Sequence, residues 1–282
     1  MPATAPKFRL IALDLDGTLL DTEKRLPPEN YAALERAFRQ GAYIVPATGR
    51  YFAAMPEAIL ALPFVRYAIT INGARVSDAT DTDVLYCADL PLAQAIEIMR
   101  WLDTLPLIYD CYMDSTGWMT EALQQRAAEF APDRFVLQML LEKRTPVPEL
   151  KAFLAARGHD VQKIQFFTND MALRQEILDT CAARFPGTVA SSSTPNNVEI
   201  NAAAATKGDA LLGLCKALSV DPAETIAFGD GLNDIPMLRT AGLGVAMGNA
   251  WDKVKEAADL VTADCDESGV AAVLNRYFPA DI

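Results

Sequence analysis

Short apolar runs recur along the chain, and each gives way to a polar turn and then to a helical pattern. The first is a strand at Arg9–Leu13, which stops at two aspartates one residue apart. A polar loop with Pro27 and Pro28 follows. Tyr31, Leu34 and Phe38 then recur at helical spacing, which predicts a helix from about Glu29 to Gln40, ended by Gly41. "AYIVPATGR" reads as a second buried strand opening into a helix near Arg50, and "YAITINGARV" as a third strand followed by a turn.

The same rhythm returns late in the chain. "TKGDALLGLCKALSV" predicts an amphipathic helix with Thr206 as N-cap and Leu211, Leu214 and Leu218 on one face. "TIAFGDG" is another buried strand, and "DIPMLRTAG" a helix with Pro236 near its first turn. Buried strands alternating with helices imply a parallel sheet covered on both faces. From Val84 to Asn201 the texture changes. Aromatics cluster in "IYDCYMDSTGW", Pro146 and Pro148 punctuate a loop, and "KIQFFTN" and "NNVEIN" read as strands of a separate sheet. The expected fold is α/β, with a discontinuous core of residues 1–83 and 202–282 and an inserted domain at 84–201.

Composition narrows the function. Of 282 residues, 51% are hydrophobic, enough for a sizeable core. The net charge of −12 argues against a nucleic-acid partner, since phosphate backbones are held by clustered Lys and Arg. No apolar run is long enough to span a bilayer, and the first residues lack the layout of a secretory signal, so a cytoplasmic protein is expected. The five cysteines are scattered, which points to buried reduced thiols. With one histidine, His159, a Cys/His zinc site is disfavoured. A metal here would be a hard cation on oxygen ligands, with magnesium the first choice.

Four stretches carry candidate chemistry. In "DLDGT", Asp14 and Asp16 lie two apart on an extended backbone, so both point into one pocket at a strand's carboxyl end. Two carboxylates there call for a proton or a cation, although the stretch also suits an Asp-Gly turn. In "GDGLND", Asp230 ends a strand while Asn233 and Asp234 begin a helix, either as further ligands or as an acidic first turn. In "ATGR", Thr48 and Gly49 sit at a strand-to-helix junction of the kind that suits a phosphate. "TKGDAL" places Lys207 in a first helical turn, where a cation opposes the macrodipole unless an anion needs it. Acids, a hydroxyl, helix N-termini and a lysine together form a kit for phosphoryl transfer. No P-loop is present, and "GLGVAMG" departs in spacing and position from a dinucleotide fingerprint.

With these motifs in this order, and with "INGARV" and the tail "GVAMGNAWDKVKEAADLVTADCDESGV", the chain resembles a haloacid dehalogenase superfamily phosphatase of the Cof type over most of its length. The resemblance implies a Rossmann-like doubly wound core with an inserted α/β cap that sets specificity. It implies Asp14 as nucleophile, forming an aspartyl-phosphate, and Asp16 as general acid and then base. Mg²⁺ would bind the Asp14 carboxylate, the Asp16 backbone carbonyl and Asp230, with Asp234 a direct or water-mediated ligand. Thr48, Gly49 and Lys207 would hold phosphate, and Asn233 would orient the lysine or a phosphate oxygen. Asn72 falls either near the substrate or in an Asn-Gly hairpin turn. Arg50 either touches substrate or covers the helix surface, and the surface is the favoured reading. The aromatic segment "YDCYMDSTGW" reads either as a specificity surface or as core of the inserted domain.

The implied reaction is Mg²⁺-dependent hydrolysis of a small phosphorylated metabolite, such as a sugar phosphate, a nucleotide or a phosphorylated cofactor. A phosphotransferase or phosphomutase is the alternative within the family, and a catalytically idle binding module the alternative outside it. No membrane partner is expected, and the protein would be a monomer or a small homo-oligomer.

Overall fold

The structure is a computed structural model and describes residues 8–280. Two compact units divide the chain. One takes the described residues up to Arg50, then Met55–Cys87, and the chain from Thr206 on; the other takes Tyr51–Ala54 and Ala88–Ala205.

The first unit is built on a five-stranded sheet with the order Leu260–Val261, Leu243–Ala246, Thr225–Gly229, Leu10–Leu13, Tyr43–Pro46. Every pairing in it is parallel. The central strands Leu10–Leu13 and Thr225–Gly229 are buried throughout, which is why they read as continuous apolar runs rather than alternating ones. Register decides where the chemistry falls. Leu13 lies level with Pro46 on one side and Phe228 on the other, so the loops after all three strands leave the sheet at the same edge.

Two local expectations are revised here. The chain does not enter a helix at Arg50. It bends, makes a short 3-10 turn at Phe52–Ala54, and forms only a one-turn helix at Glu57–Leu60. Pro56 explains the interruption, since the residue before a proline is steered away from helical geometry. "YAITINGARV" is two strands, Tyr67–Thr70 and Arg75–Asp78, paired antiparallel, with Val84–Cys87 added as a third. Asn72 sits in the intervening turn at φ +58°, a left-handed conformation that asparagine tolerates. Parallel bridges from Ile44 to Val65 and from Ala47 to Ile69 bring this hairpin alongside the edge of the main sheet.

The helix Lys207–Leu218 starts as the sequence requires. The Thr206 hydroxyl accepts from the Asp209 N–H at 3.0 Å and donates to the Asp209 carboxylate at 2.6 Å. Replacing Thr206 with alanine is expected to cost about 1 kcal/mol in urea unfolding with an unchanged m-value. A loss below about 0.3 kcal/mol would mean that neighbouring packing, not the cap, sets the start of this helix.

The second unit has a six-stranded sheet with the order Thr188–Ser191, Asn197–Ala202, Lys163–Phe167, Ile108–Met113, Thr116–Thr120, Thr145–Val147. Its pairings are antiparallel except the last. Alternation divides its faces. Tyr109, Cys111, Met113, Ile164, Phe166, Val198 and Ile200 join one apolar core with residues of the helices Leu92–Leu102, Leu150–Arg157 and Met171–Arg184. Asp110, Tyr112, Lys163, Gln165 and Glu199 take the opposite face and are also buried. The aromatic segment is thus split residue by residue, with Tyr109 in the core and Tyr112 on the polar face.

Four of the five cysteines are buried, but Cys87 is exposed because it ends a short edge strand. No helix among the described residues is long and apolar enough to cross a membrane.

Candidate active site

Asp14 follows the strand Leu10–Leu13, and Asp230 follows Thr225–Gly229, so each acid is the first residue beyond a central strand. Asp234 closes the 3-10 turn Leu232–Asp234 and folds back to accept the N–H groups of Asp230 at 3.0 Å and Gly231 at 2.9 Å. Gly229 makes this approach possible, since a Cβ there would lie 2.3 Å from that of Asp234. The other glycine that matters is Gly17, at φ +86°, where a Cβ would meet the Asp230 carboxylate at 2.7 Å. The turn it permits lets Thr18 donate its hydroxyl to Asp230 Oδ1 at 2.9 Å. The "DGT" of the first motif therefore serves an acid more than two hundred residues away.

Lys207 lies among these acids. Its ammonium, wholly shielded from solvent, donates to Asp14 Oδ1 and to Asp234 Oδ1, each at 2.6 Å. This accounts for a cation in the first turn of a helix: two carboxylates outweigh the unfavourable dipole. The resulting electrostatics are lopsided. Burial pushes the Asp14 carboxyl up to about 7, against the pull of Lys207 and with help from Asp234. Burial, Asp14 and Asp234 push Asp230 well above the usual carboxylate range. Burial alone would lower the Lys207 pKa, but Asp14 and Asp234 raise it. Oxygens of Asp14, Asp230 and Asp234 all lie within 4.8 Å of one another. Three acids against one ammonium leave an uncompensated negative charge on hard oxygen donors, a set that suits a small divalent cation.

Thr48 is buried two residues beyond the strand Tyr43–Pro46, which places it at the same sheet edge. Its N–H donates to the Ile69 carbonyl at 2.9 Å, and its carbonyl accepts from the Asn72 N–H at 3.1 Å. Gly49 is the next residue of this loop. Asn72 is both a hairpin-turn residue and part of the site: its side-chain oxygen accepts from the Asn233 amide at 3.0 Å. The Asn233 amide therefore meets Asn72, while Lys207 is oriented by the two carboxylates.

Asp16 stands apart from the acidic cluster, and this corrects the reading of Arg50. Arg50 donates from Nε to Asp16 Oδ2 and from Nη2 to Asp16 Oδ1, both at 2.8 Å, and Lys24 adds a contact to Oδ1 at 3.0 Å. Without the expected helix, Arg50 has no helix surface to cover. Burial works against ionisation of Asp16, but the Arg50 guanidinium and then the Lys24 ammonium outweigh it and hold the carboxyl well below its usual range.

A second charged group escaped the sequence reading. On the polar face of the six-stranded sheet, Arg144 donates to Asp110 at 2.8 Å and also bonds the Tyr112 hydroxyl, while Lys163 pairs with Glu199 at 2.8 Å. The charged residues of both pairs are almost wholly shielded from solvent. Period-two alternation in "IYDCYM" and "KIQFF" was the available signal, since it sets Asp110 and Lys163 on one face.

Acids at the carboxyl edge of a parallel sheet, with a buried lysine between them, define a class, and the comparisons agree with it. The chain belongs to the haloacid dehalogenase-like hydrolase family, whose model matches residues 11–274. Among its relatives, the 5-amino-6-(5-phospho-D-ribitylamino)uracil phosphatase YcsE of Bacillus subtilis is 30% identical over 96% of each chain. The pyridoxal phosphate phosphatase YbhA of Escherichia coli is 31% identical over 95% of this chain and 98% of its own. A haloacid dehalogenase-like hydrolase from B. subtilis matches in structure with a TM-score of 0.80 and 30% identity, over 95% of this chain and 99% of that one.

Proposed function

We propose that this protein is a Mg²⁺-dependent phosphomonoester hydrolase for a small phosphorylated metabolite, working through an aspartyl-phosphate on Asp14. The observation that carries the reading is the convergence of Asp14, Asp230, Asp234 and Lys207 at one sheet edge. Relatives named as phosphatases of a ribitylaminouracil phosphate and of pyridoxal phosphate support the substrate class.

In this reading the Asp14 carboxylate attacks phosphorus while Asp16 gives a proton to the departing alkoxide. Asp16 then takes a proton from water, which attacks the same phosphorus and releases inorganic phosphate and free Asp14. Lys207, the Thr48 hydroxyl and the Gly49 N–H hold the phosphoryl oxygens, while Asn233 and Asn72 brace each other beside them. Asp14, Asp230, Asp234 and the Asp16 carbonyl would hold Mg²⁺, which when bound offsets the charge of the phosphoryl group and of the acids.

Two readouts test this. Phosphate release from a panel of phosphorylated metabolites should require Mg²⁺ and stop with a chelator; no release from any member with Mg²⁺ present counts against the enzyme. The metal site also has a test without turnover. Asp14 and Asp230 have raised pKa values, so at pH 5 protons compete with the cation and at pH 8 much less. Addition of Mg²⁺ should therefore raise Tm more at pH 8 than at pH 5. An equal or reversed increment would remove these acids as ligands.

A further inference from the structure

The loop that follows the strand Leu243–Ala246 runs along both acid loops. The Met247 N–H donates to the Gly229 carbonyl at 3.0 Å and the Trp251 N–H to the Asp230 carbonyl at 3.2 Å, so this loop holds the backbone that carries Asp230. Between those contacts, Asn249 reaches the other acid loop. Its amide nitrogen donates to the Gly17 carbonyl at 2.8 Å, and its amide oxygen accepts from the Cys265 N–H at 3.0 Å. A carbonyl on one side and an N–H on the other call for a side chain that both donates and accepts, which neither a carboxylate nor a hydrocarbon supplies.

The Gly17 carbonyl is the consequential partner. It belongs to the peptide that joins Gly17 to Thr18, and Gly17 sits at φ +86°, where a glycine backbone has wide freedom. Fixing that carbonyl fixes the peptide plane, and with it the direction in which Thr18 leaves the turn. The Thr18 N–H holds the plane only weakly, through a long 3.4 Å contact to the Leu15 carbonyl. Thr18 is fully buried, and its hydroxyl donates to Asp230 Oδ1 at 2.9 Å.

We infer that Asn249 is a positioning residue for Asp230, acting through the Gly17–Thr18 peptide and the Thr18 hydroxyl. The inference rests on the reading of Asp230 as a Mg²⁺ ligand. Mg²⁺ tolerates little departure from octahedral geometry, so a carboxylate free to rotate is a poorer ligand than one held in place. Asn249 itself would ligate nothing.

The test measures Mg²⁺ binding without substrate, as the dissociation constant read from the rise in Tm with Mg²⁺ concentration at pH 8. Asn249→Ala and Thr18→Val should each weaken binding by about tenfold, the low end of what loss of a group behind a metal ligand costs. Because the two act in series, the double variant should also lose about tenfold, not about a hundredfold. Thr22→Val is the control, since it removes a hydroxyl that bonds Asp266 on the same loop without touching the Gly17 carbonyl. Its Mg²⁺ affinity should stay within about twofold of wild type. Asn249 is exposed, so its replacement opens no core cavity, and a cooperative urea transition of each metal-free variant shows that it is folded.

Unchanged Mg²⁺ affinity in Asn249→Ala would overturn the inference. Losses that multiply in the double variant would also overturn it, because Asn249 and Thr18 would then act by separate routes. An equal loss in Thr22→Val would do the same, reducing Asn249 to a general anchor of the loop. Wild-type protein whose Tm does not rise with Mg²⁺ would instead reject the metal reading, and this inference with it.

Discussion

Asp14→Asn is expected to lower kcat for phosphate release by at least about a thousandfold, since a carboxamide is a poor nucleophile toward phosphorus. The same change should leave the fold intact. Lys207 retains Asp234, and one of three crowded acids is replaced by a neutral group. The sign with pH follows from the raised pKa of Asp14. Its protonated form is favoured in the folded state, and that contribution is lost as pH rises through about 7. Asparagine mimics the protonated form at every pH. Metal-free Asp14→Asn should therefore match wild type near pH 4 and exceed it in Tm above pH 7. Activity within tenfold of wild type would reject Asp14 as the nucleophile, and a lower Tm at pH 8 would reject the crowding.

Lys207→Met should do the opposite to stability. It removes the ammonium that two carboxylates share and leaves those acids shielded from solvent without their counter-charge. Breaking one side of such a buried arrangement costs about 3–5 kcal/mol. The cost should be largest near pH 8 and shrink toward pH 5, where Asp14 and Asp230, already raised, take up protons and shed their charge. Urea unfolding of metal-free protein at the two pH values measures it. A cost of less than about 1 kcal/mol at both would show that water or a rearranged acid replaces the lysine. Phosphate release should also fall sharply.

These effects trace to residues that the sequence already marked. Apolar runs ending in aspartate located the strands Leu10–Leu13 and Thr225–Gly229 and their first acids, because a buried parallel strand has no polar face to blur its limits. Thr206 identified the start of the helix that carries Lys207, because a cap is a local, one-turn interaction. What escaped depends on partners distant in sequence. Arg50 gave no local hint of its ion pair, since it meets Asp16 only after the loop is tied to Ile69 and Asn72. The direction of Asn233 was hidden for the same reason, being set by Asn72, 161 positions away. Asp110 and Lys163 were legible as same-face residues, but their partners Arg144 and Glu199 come from different strands or loops.

The register that lines up Leu13 with Phe228 also orders events during synthesis. Leu10–Leu13 has its Tyr43–Pro46 neighbour available early, whereas its other neighbour, Thr225–Gly229, is made late. That strand emerges roughly 180 residues after Pro46, a wait of about 10–40 s at ordinary elongation rates. A Leu10–Leu13 and Tyr43–Pro46 pair formed in that interval would have an unpaired apolar edge, which is a template for association with other chains. The last strands made are thus what shields the first, and chaperone dependence should be concentrated in nascent chains that end before Gly229.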